Sequence, residues 1–265
     1  MTRKKRTSNQ NSTRPSGSNS RVRRRVRRSG LNQQMQNLQI SRPMAAPVST
    51  GVVTGRMVPS ISSSNDVTTV RFAEIVMNLE VSNGPTSASA ACMPSDMTSW
   101  LSGVARSWSK WHWDVLKYVY IPCCPATTSG SVHMGFQYDW SDDVPSNDSE
   151  ISSLHGYTSG PVWGGENGAV LLNPRTPYTR CPVGAICSEI DVGRTMEYWY
   201  PYVSKTRFAN ESLVAAALVN LRTPARLVVL TTDGPSDAVK CGRIYAIYQV
   251  KLIEPISSAL NDPES

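Results

Sequence analysis

Between Ile244 and Leu252 the apolar side chains recur at every second residue, so Ile244, Ala246, Tyr248, Val250 and Leu252 share one face of an extended chain. That period admits a strand half-buried on one side and excludes a helix. Val70, Phe72, Ile75, Met77, Leu79 and Val81 follow largely the same alternation. Further strands are expected at 115–121, 132–138, 169–172 and 225–231, and the first pattern extends to a strand over 242–253; these are divided by loops rich in Gly, Pro, Ser and Asp such as 122–130 and 232–236. One helix stands out, at 97–108. There Trp100, Leu101, Val104, Ala105 and Trp108 repeat at helical spacing, and Ser95 or Asp96 can cap the first amides. Many strands, turn-rich loops and little helix predict an all-β, antiparallel sandwich or jelly roll over residues 65–265.

Before residue 65 the chain is rich in Ser, Asn, Gln, Thr, Pro and Arg and poor in aromatics. Such a segment buries too little apolar surface to offset the entropy of ordering, so 1–64 is expected to be a largely disordered arm. The arm also carries most of the charge. Of 27 Lys and Arg in the chain, 11 lie in residues 1–30 with no acid among them: Arg3, Lys4, Lys5, Arg6, Arg14, Arg21, Arg23, Arg24, Arg25, Arg27 and Arg28. The other 235 residues hold the remaining 16 basic side chains against 20 acidic ones, a net of −4. A basic tail on a mildly acidic body points to a polyanion held by the tail alone.

Arg21 to Arg28 places six guanidinium groups within eight residues, each able to fork onto phosphate oxygens. No aromatic residue interleaves them, so the block suits nucleic-acid backbone and not base recognition. A nuclear address or a solvated charge run has the same composition. Eleven charges ahead of any apolar stretch do not suit a secretory leader, so a cytosolic chain is expected. The longest apolar run, 213–219, is far short of a bilayer span, and no membrane partner is expected. Cysteines 92, 123, 124, 181, 187 and 241 form no CxxC pair, and His112, His133 and His155 are scattered. Buried, reduced thiols are therefore expected ahead of a zinc site. No GxSxG, P-loop, GxGxxG or HExxH occurs, and an enzyme is not expected.

Gly130-Ser-Val-His-Met-Gly-Phe-Gln-Tyr-Asp139, followed by Asp142, Val144 and Pro145, resembles the coat proteins of sobemoviruses, plant viruses with positive-strand RNA. The likeness continues through Tyr120-Ile-Pro-Cys-Cys-Pro, Gly156-Tyr-Thr-Ser-Gly-Pro-Val-Trp163, Trp199-Tyr-Pro-Tyr202, Pro224-Ala-Arg-Leu227, Gly242-Arg-Ile-Tyr245 and Ser258-Ala-Leu-Asn261. The resemblance implies an eight-stranded jelly roll, with 180 copies closing a T=3 icosahedral virion around single-stranded RNA gathered by the arm. At that copy number the arms supply roughly 2000 positive charges, on the scale of a genome of a few thousand nucleotides. It further implies that 45–59 orders as a β-annulus in some copies, where composition alone reads equally as a linker.

The resemblance also implies Ca²⁺ between copies, bound by Asp139 and Asp142 of one and by the Tyr200 carbonyl, Asn261 and Asp262 of its neighbour. On spacing alone Asp139 and Asp142 are two turn acids. Asp262 departs from the paired asparagines that end the family pattern. The alternative that composition leaves open is a cellular RNA-binding structural protein of a ribonucleoprotein.

Overall fold

A computed structural model describes residues 58–97, 100–165, 181, 184–195, 198–214 and 216–261. The expected disordered arm up to residue 57, the annulus segment before Val58 and the strand at 169–172 lie outside the described residues. Ten strands and five short α-helices are found among the described residues.

The first strand, β1 (Ser60–Ser64), pairs with β2 (Val67–Val81) through a two-residue turn. Asn65 and Asp66 both take positive φ there, 47° and 57°, which matches the twist of a tight hairpin. β1 thus belongs to a sheet although it precedes residue 65. Then follow β3 (Thr86–Ala91), α1 (Trp100–Ala105), β4 (Trp108–Pro122), β5 (Ser131–Gln137), α2 (Asp148–Ser152), β6 (His155–Pro161) and β7 (Cys187–Glu189). The chain ends through β8 (Tyr200–Pro201), α3 (Lys205–Val214), α4 (Ala216–Val219), β9 (Arg226–Thr232), β10 (Val239–Pro255) and α5 (Ser258–Asn261).

One sheet runs β1-β2-β10-β4-β7, with β8 also on β4, and the other runs β3-β9-β5-β6. Every pairing is antiparallel. Without the short β1 and β8, four strands face four, and their crossed order is that of an eight-stranded jelly roll. The core lies between the sheets. Val70, Leu79 and Val81 from β2, Trp111, Trp113, Leu116, Tyr118 and Tyr120 from β4 and the Ile244 to Leu252 face of β10 meet Val132, Met134 and Phe136 from β5 and Leu227 and Val229 from β9. β9 is buried along its whole length because its other face, Val228 and Leu230, is covered by Ile151 of α2.

The expected helix at 97–108 is shorter than its periodicity suggests. Helix α1 stops at Ala105, Pro94–Asp96 is a separate 3-10 turn, and Trp108 is the first residue of β4. Pairing with β10 over the whole of β4 outweighs the local signal, and a register shift between Gln249 and Val250 breaks the alternation that would have shown the strand before Val115. The start of α1 is held by Glu74, a buried carboxylate that accepts from the Leu101 amide (3.0 Å), the Trp100 amide (3.2 Å) and the Tyr248 hydroxyl.

The cysteines also correct expectation. Cys181 and Cys187 are joined in a disulfide, Cys123 is exposed and Cys124 half-buried. Only Cys92 and Cys241 are buried thiols, and burial pushes them up to about 12 and about 11. The disulfide arises because β7 pairs with β4 and fixes Cys187, while Cys181 packs on the same apolar patch of the six-stranded sheet, six positions earlier. No described helix is long and apolar enough to cross a membrane.

Candidate functional site

β5 leaves the four-stranded sheet at Gln137 and enters a loop that carries Asp139 and Asp142, both exposed. The loop is held from two sides. Asp139 Oδ1 accepts from the Ser141 hydroxyl (2.7 Å), the Ser141 amide (2.9 Å) and the Asn220 side-chain amide (2.9 Å). These donors favour the charged form, the Ser141 hydroxyl most and Asn220 next, and lower the Asp139 carboxyl to about 2. Asn220 also accepts from the Trp140 amide at 2.9 Å.

On the other side stands Arg226, the first residue of β9 and a buried guanidinium. Its Nε donates to Gln137 Oε1 (2.7 Å), and a terminal nitrogen donates to the Asp142 carbonyl. Gln137 closes the circuit by donating to the Asp143 carbonyl at 2.9 Å. The guanidinium lies 5.1 Å from the Trp140 ring centre, and Trp140 meets Phe208 edge-on at 5.1 Å. Two ionisable carboxylates are thus displayed on a loop with little freedom, an arrangement that offers hard oxygen donors to a cation.

Tyr200 and Asn261 lie elsewhere, both beside the first residues of β4 in the other sheet. Tyr200 in β8 pairs with Trp111, and their rings stack at 5.0 Å. Asn261 ends α5 and donates through Nδ2 to the carbonyls of Trp108 (2.8 Å) and Arg106 (2.9 Å), so its Oδ1 is not spent on those bonds. Within one chain the structure therefore groups the sequence-derived ligands as two acids on a loop of one sheet and two oxygen donors at the start of β4. Among the described residues no three His, Cys, Asp or Glu side chains converge on a metal position. Asp262 and all eleven basic residues from Arg3 to Arg28 lie outside the described residues.

The histidines have local partners. His133 contacts the Tyr157 hydroxyl at 2.9 Å, His155 the Tyr138 hydroxyl at 3.3 Å and His112 the Tyr198 carbonyl at 3.2 Å. Sequence reasoning missed Asn220 and Arg226, whose contacts with the loop span eighty positions or more. The one signal was the charge of Arg226 at the head of an otherwise apolar run, Leu227 to Leu230.

Residues 41–258 match the family described as viral coat protein (S domain). The capsid protein of tobacco necrosis virus strain A is 35% identical over 223 residues, 82% of this chain and 77% of the relative. That of Poinsettia latent virus is 33% identical over 226 residues, 83% and 73%. The capsid protein of Cocksfoot mottle virus, a sobemovirus, is 28% identical over 161 residues, 60% of each chain. Among solved structures, tobacco necrosis virus superposes with a TM-score of 0.73 at 31% identity, covering 79% of this chain and 93% of that one. Cocksfoot mottle virus superposes with a TM-score of 0.65 at 22% identity, covering 78% and 100%, and supports the fold.

Proposed function

Since the chain belongs to the viral coat protein (S domain) family, we propose that 180 copies close a T=3 shell around single-stranded viral RNA, with the basic arm holding the RNA and calcium tying copies together. Membership makes the chain a capsid protein, a self-assembling structural part of an icosahedral plant virion and not an enzyme.

The observation that carries the RNA reading is the division of charge. Arg3 to Arg28 supply eleven positive charges, while the rest of the chain is net negative. Cations confined to one stretch of sequence can neutralise backbone phosphates without reading base identity, and counterion release supplies the driving force.

For calcium, Asp139 and Asp142 of one copy would act with the Tyr200 carbonyl, Asn261 and Asp262 of a neighbour. The residues suit the ion. Every donor is an oxygen, Asp139 is exposed and held in its ionised form, and Asn261 commits Nδ2 to backbone carbonyls while retaining Oδ1. A divalent cation at that contact would supply positive charge where carboxylates otherwise repel.

The test compares the full-length chain with one lacking residues 1–30, by electron microscopy and sedimentation, with and without chelator at mildly alkaline pH. The full-length chain is expected to give RNA-filled shells that sediment more slowly in chelator as they swell. The shortened chain is expected to give emptier or smaller particles. Monomers from both, with and without RNA and calcium, would refute shell assembly. Sedimentation indifferent to chelator would remove calcium from the account.

A further inference from the structure

The geometry points to Asn220 and Arg226 as positioning residues that hold the Asp139 carboxylate and the Asp142 backbone of the cation site before the ion arrives; the inference rests on the calcium reading above. Asn220 follows α4 directly, where the amides of Leu221, Arg222 and Thr223 turn back onto the carbonyls of Leu218 and Val219. From that turn Asn220 uses both ends of its amide on one loop, donating to Asp139 Oδ1 and accepting from the Trp140 amide, each at 2.9 Å. The carboxylate of Asp139 and the peptide beside it are thereby fixed by one side chain. Ser141 adds two donors to the same Oδ1, so three donors converge there and leave the second carboxylate oxygen unspent by them.

Arg226 does the equivalent for Asp142 through the backbone. Its guanidinium bridges Gln137 and the Asp142 carbonyl, so the last residue of β5 and the acid five positions later are tied to one rigid fork. A lysine has a single ammonium on a flexible stem and does not reproduce that bridge. A cation that meets carboxylates already oriented has less ordering to impose on them, and partners that orient metal ligands typically contribute about 10 to 100-fold in affinity. The same contacts would also exist in a loop that was merely well folded. The two roles differ in what calcium binding does when the contacts are cut.

Shells of the full-length chain are compared as the unsubstituted form, Asn220→Ala, Ser141→Ala and Arg226→Lys. Each is stripped with chelator and titrated with calcium, following heat of binding and sedimentation, and is melted separately in excess chelator. We expect Asn220→Ala and Arg226→Lys to bind calcium about tenfold more weakly. They should need correspondingly more calcium to reverse swelling; Arg226→Lys, which leaves Gln137 Oε1 and the Asp142 carbonyl short of a donor, should also melt lower in chelator. Ser141→Ala should weaken binding in the same direction.

Unchanged calcium affinity in these variants overturns the inference. So does a loss of melting temperature in chelator with affinity intact, which would mark a role in folding alone. If Asn220→Ala shells do not form, Ser141→Ala decides, since Ser141 is exposed and the change removes one hydroxyl donor to Asp139 from the surface. Unsubstituted shells that bind no calcium would refute the site itself, an outcome visible before any variant is compared.

Discussion

A methyl group added at Gly242 would lie 2.3 Å from the ring of Tyr120, closer than any packed carbon can sit. The ring has little room to yield, because Tyr120 is fully buried and its hydroxyl donates to the Val162 carbonyl at 2.5 Å. Gly242→Ala is therefore expected to destabilise the domain by about 1–3 kcal/mol, the range for overpacking a close-packed core. A chemical melt would show this, and an unchanged midpoint would mean that the ring moves aside. At this scale the sequence was legible only in part. Asp139 and Asp142 came from a family resemblance, since as bare residues they were turn acids. Asn220 and Arg226 were hidden because a polar residue's identity does not name its partner, and theirs lie 80 to 89 positions away. The thiols failed for a related reason, as a spacing of six does not reveal that a strand edge will hold Cys187 against Cys181.

Elements read more plainly, because periodicity is a local property while pairing is not. The strands expected at 132–138, 225–231 and 242–253 correspond to β5, β9 and β10, and their alternating faces form the core. Helix α3 was missed. Its one fully buried apolar residue among those described is Phe208, so no stripe repeats along it, and its start is marked only by Ser204, whose hydroxyl accepts from the Arg207 amide at 3.3 Å. At this scale the disulfide has a measurable consequence. It ties Cys181 to the short strand β7 and belongs to a separate apolar cluster with Ala73, Val119, Ile121, Tyr245 and Ile247. Closing so short a loop contributes about 2 kcal/mol in the chain-entropy account. Virions purified without reductant should thus show four alkylatable thiols per denatured chain and six after reduction. Cys181→Ser should lower the unfolding midpoint in oxidised samples and leave it unchanged in reduced ones. Six thiols before reduction would place the pair in its reduced state within the particle.

For the whole molecule, the decisive property is that charge is segregated along the chain. Eleven cations precede residue 31, while 16 basic and 20 acidic side chains remain in the other 235 residues. Several of the latter cations are already matched: Lys251 to Asp114 at 2.9 Å, Lys110 to Glu254 at 2.7 Å, Arg222 to Glu211 at 3.1 Å and Lys205 to Asp96 at 2.7 Å. Exposed pairs of this kind add little stability, yet acids outnumber bases in these 235 residues, which therefore offer a polyanion no net positive charge. Binding of RNA by unassembled chains should then be almost wholly an arm effect. For single strands, log affinity falls with log salt by about 0.7 for each phosphate neutralised, so eleven engaged charges predict a slope near −8 and a loss of about four to five orders of magnitude between 50 and 200 mM salt. A chain lacking residues 1–30 should bind weakly with a slope near zero. Filter binding across a salt series measures both. A steep slope retained without the arm would mean that the folded domain carries a phosphate-binding face of its own, and the segregation of charge would then not be what separates assembly from packaging.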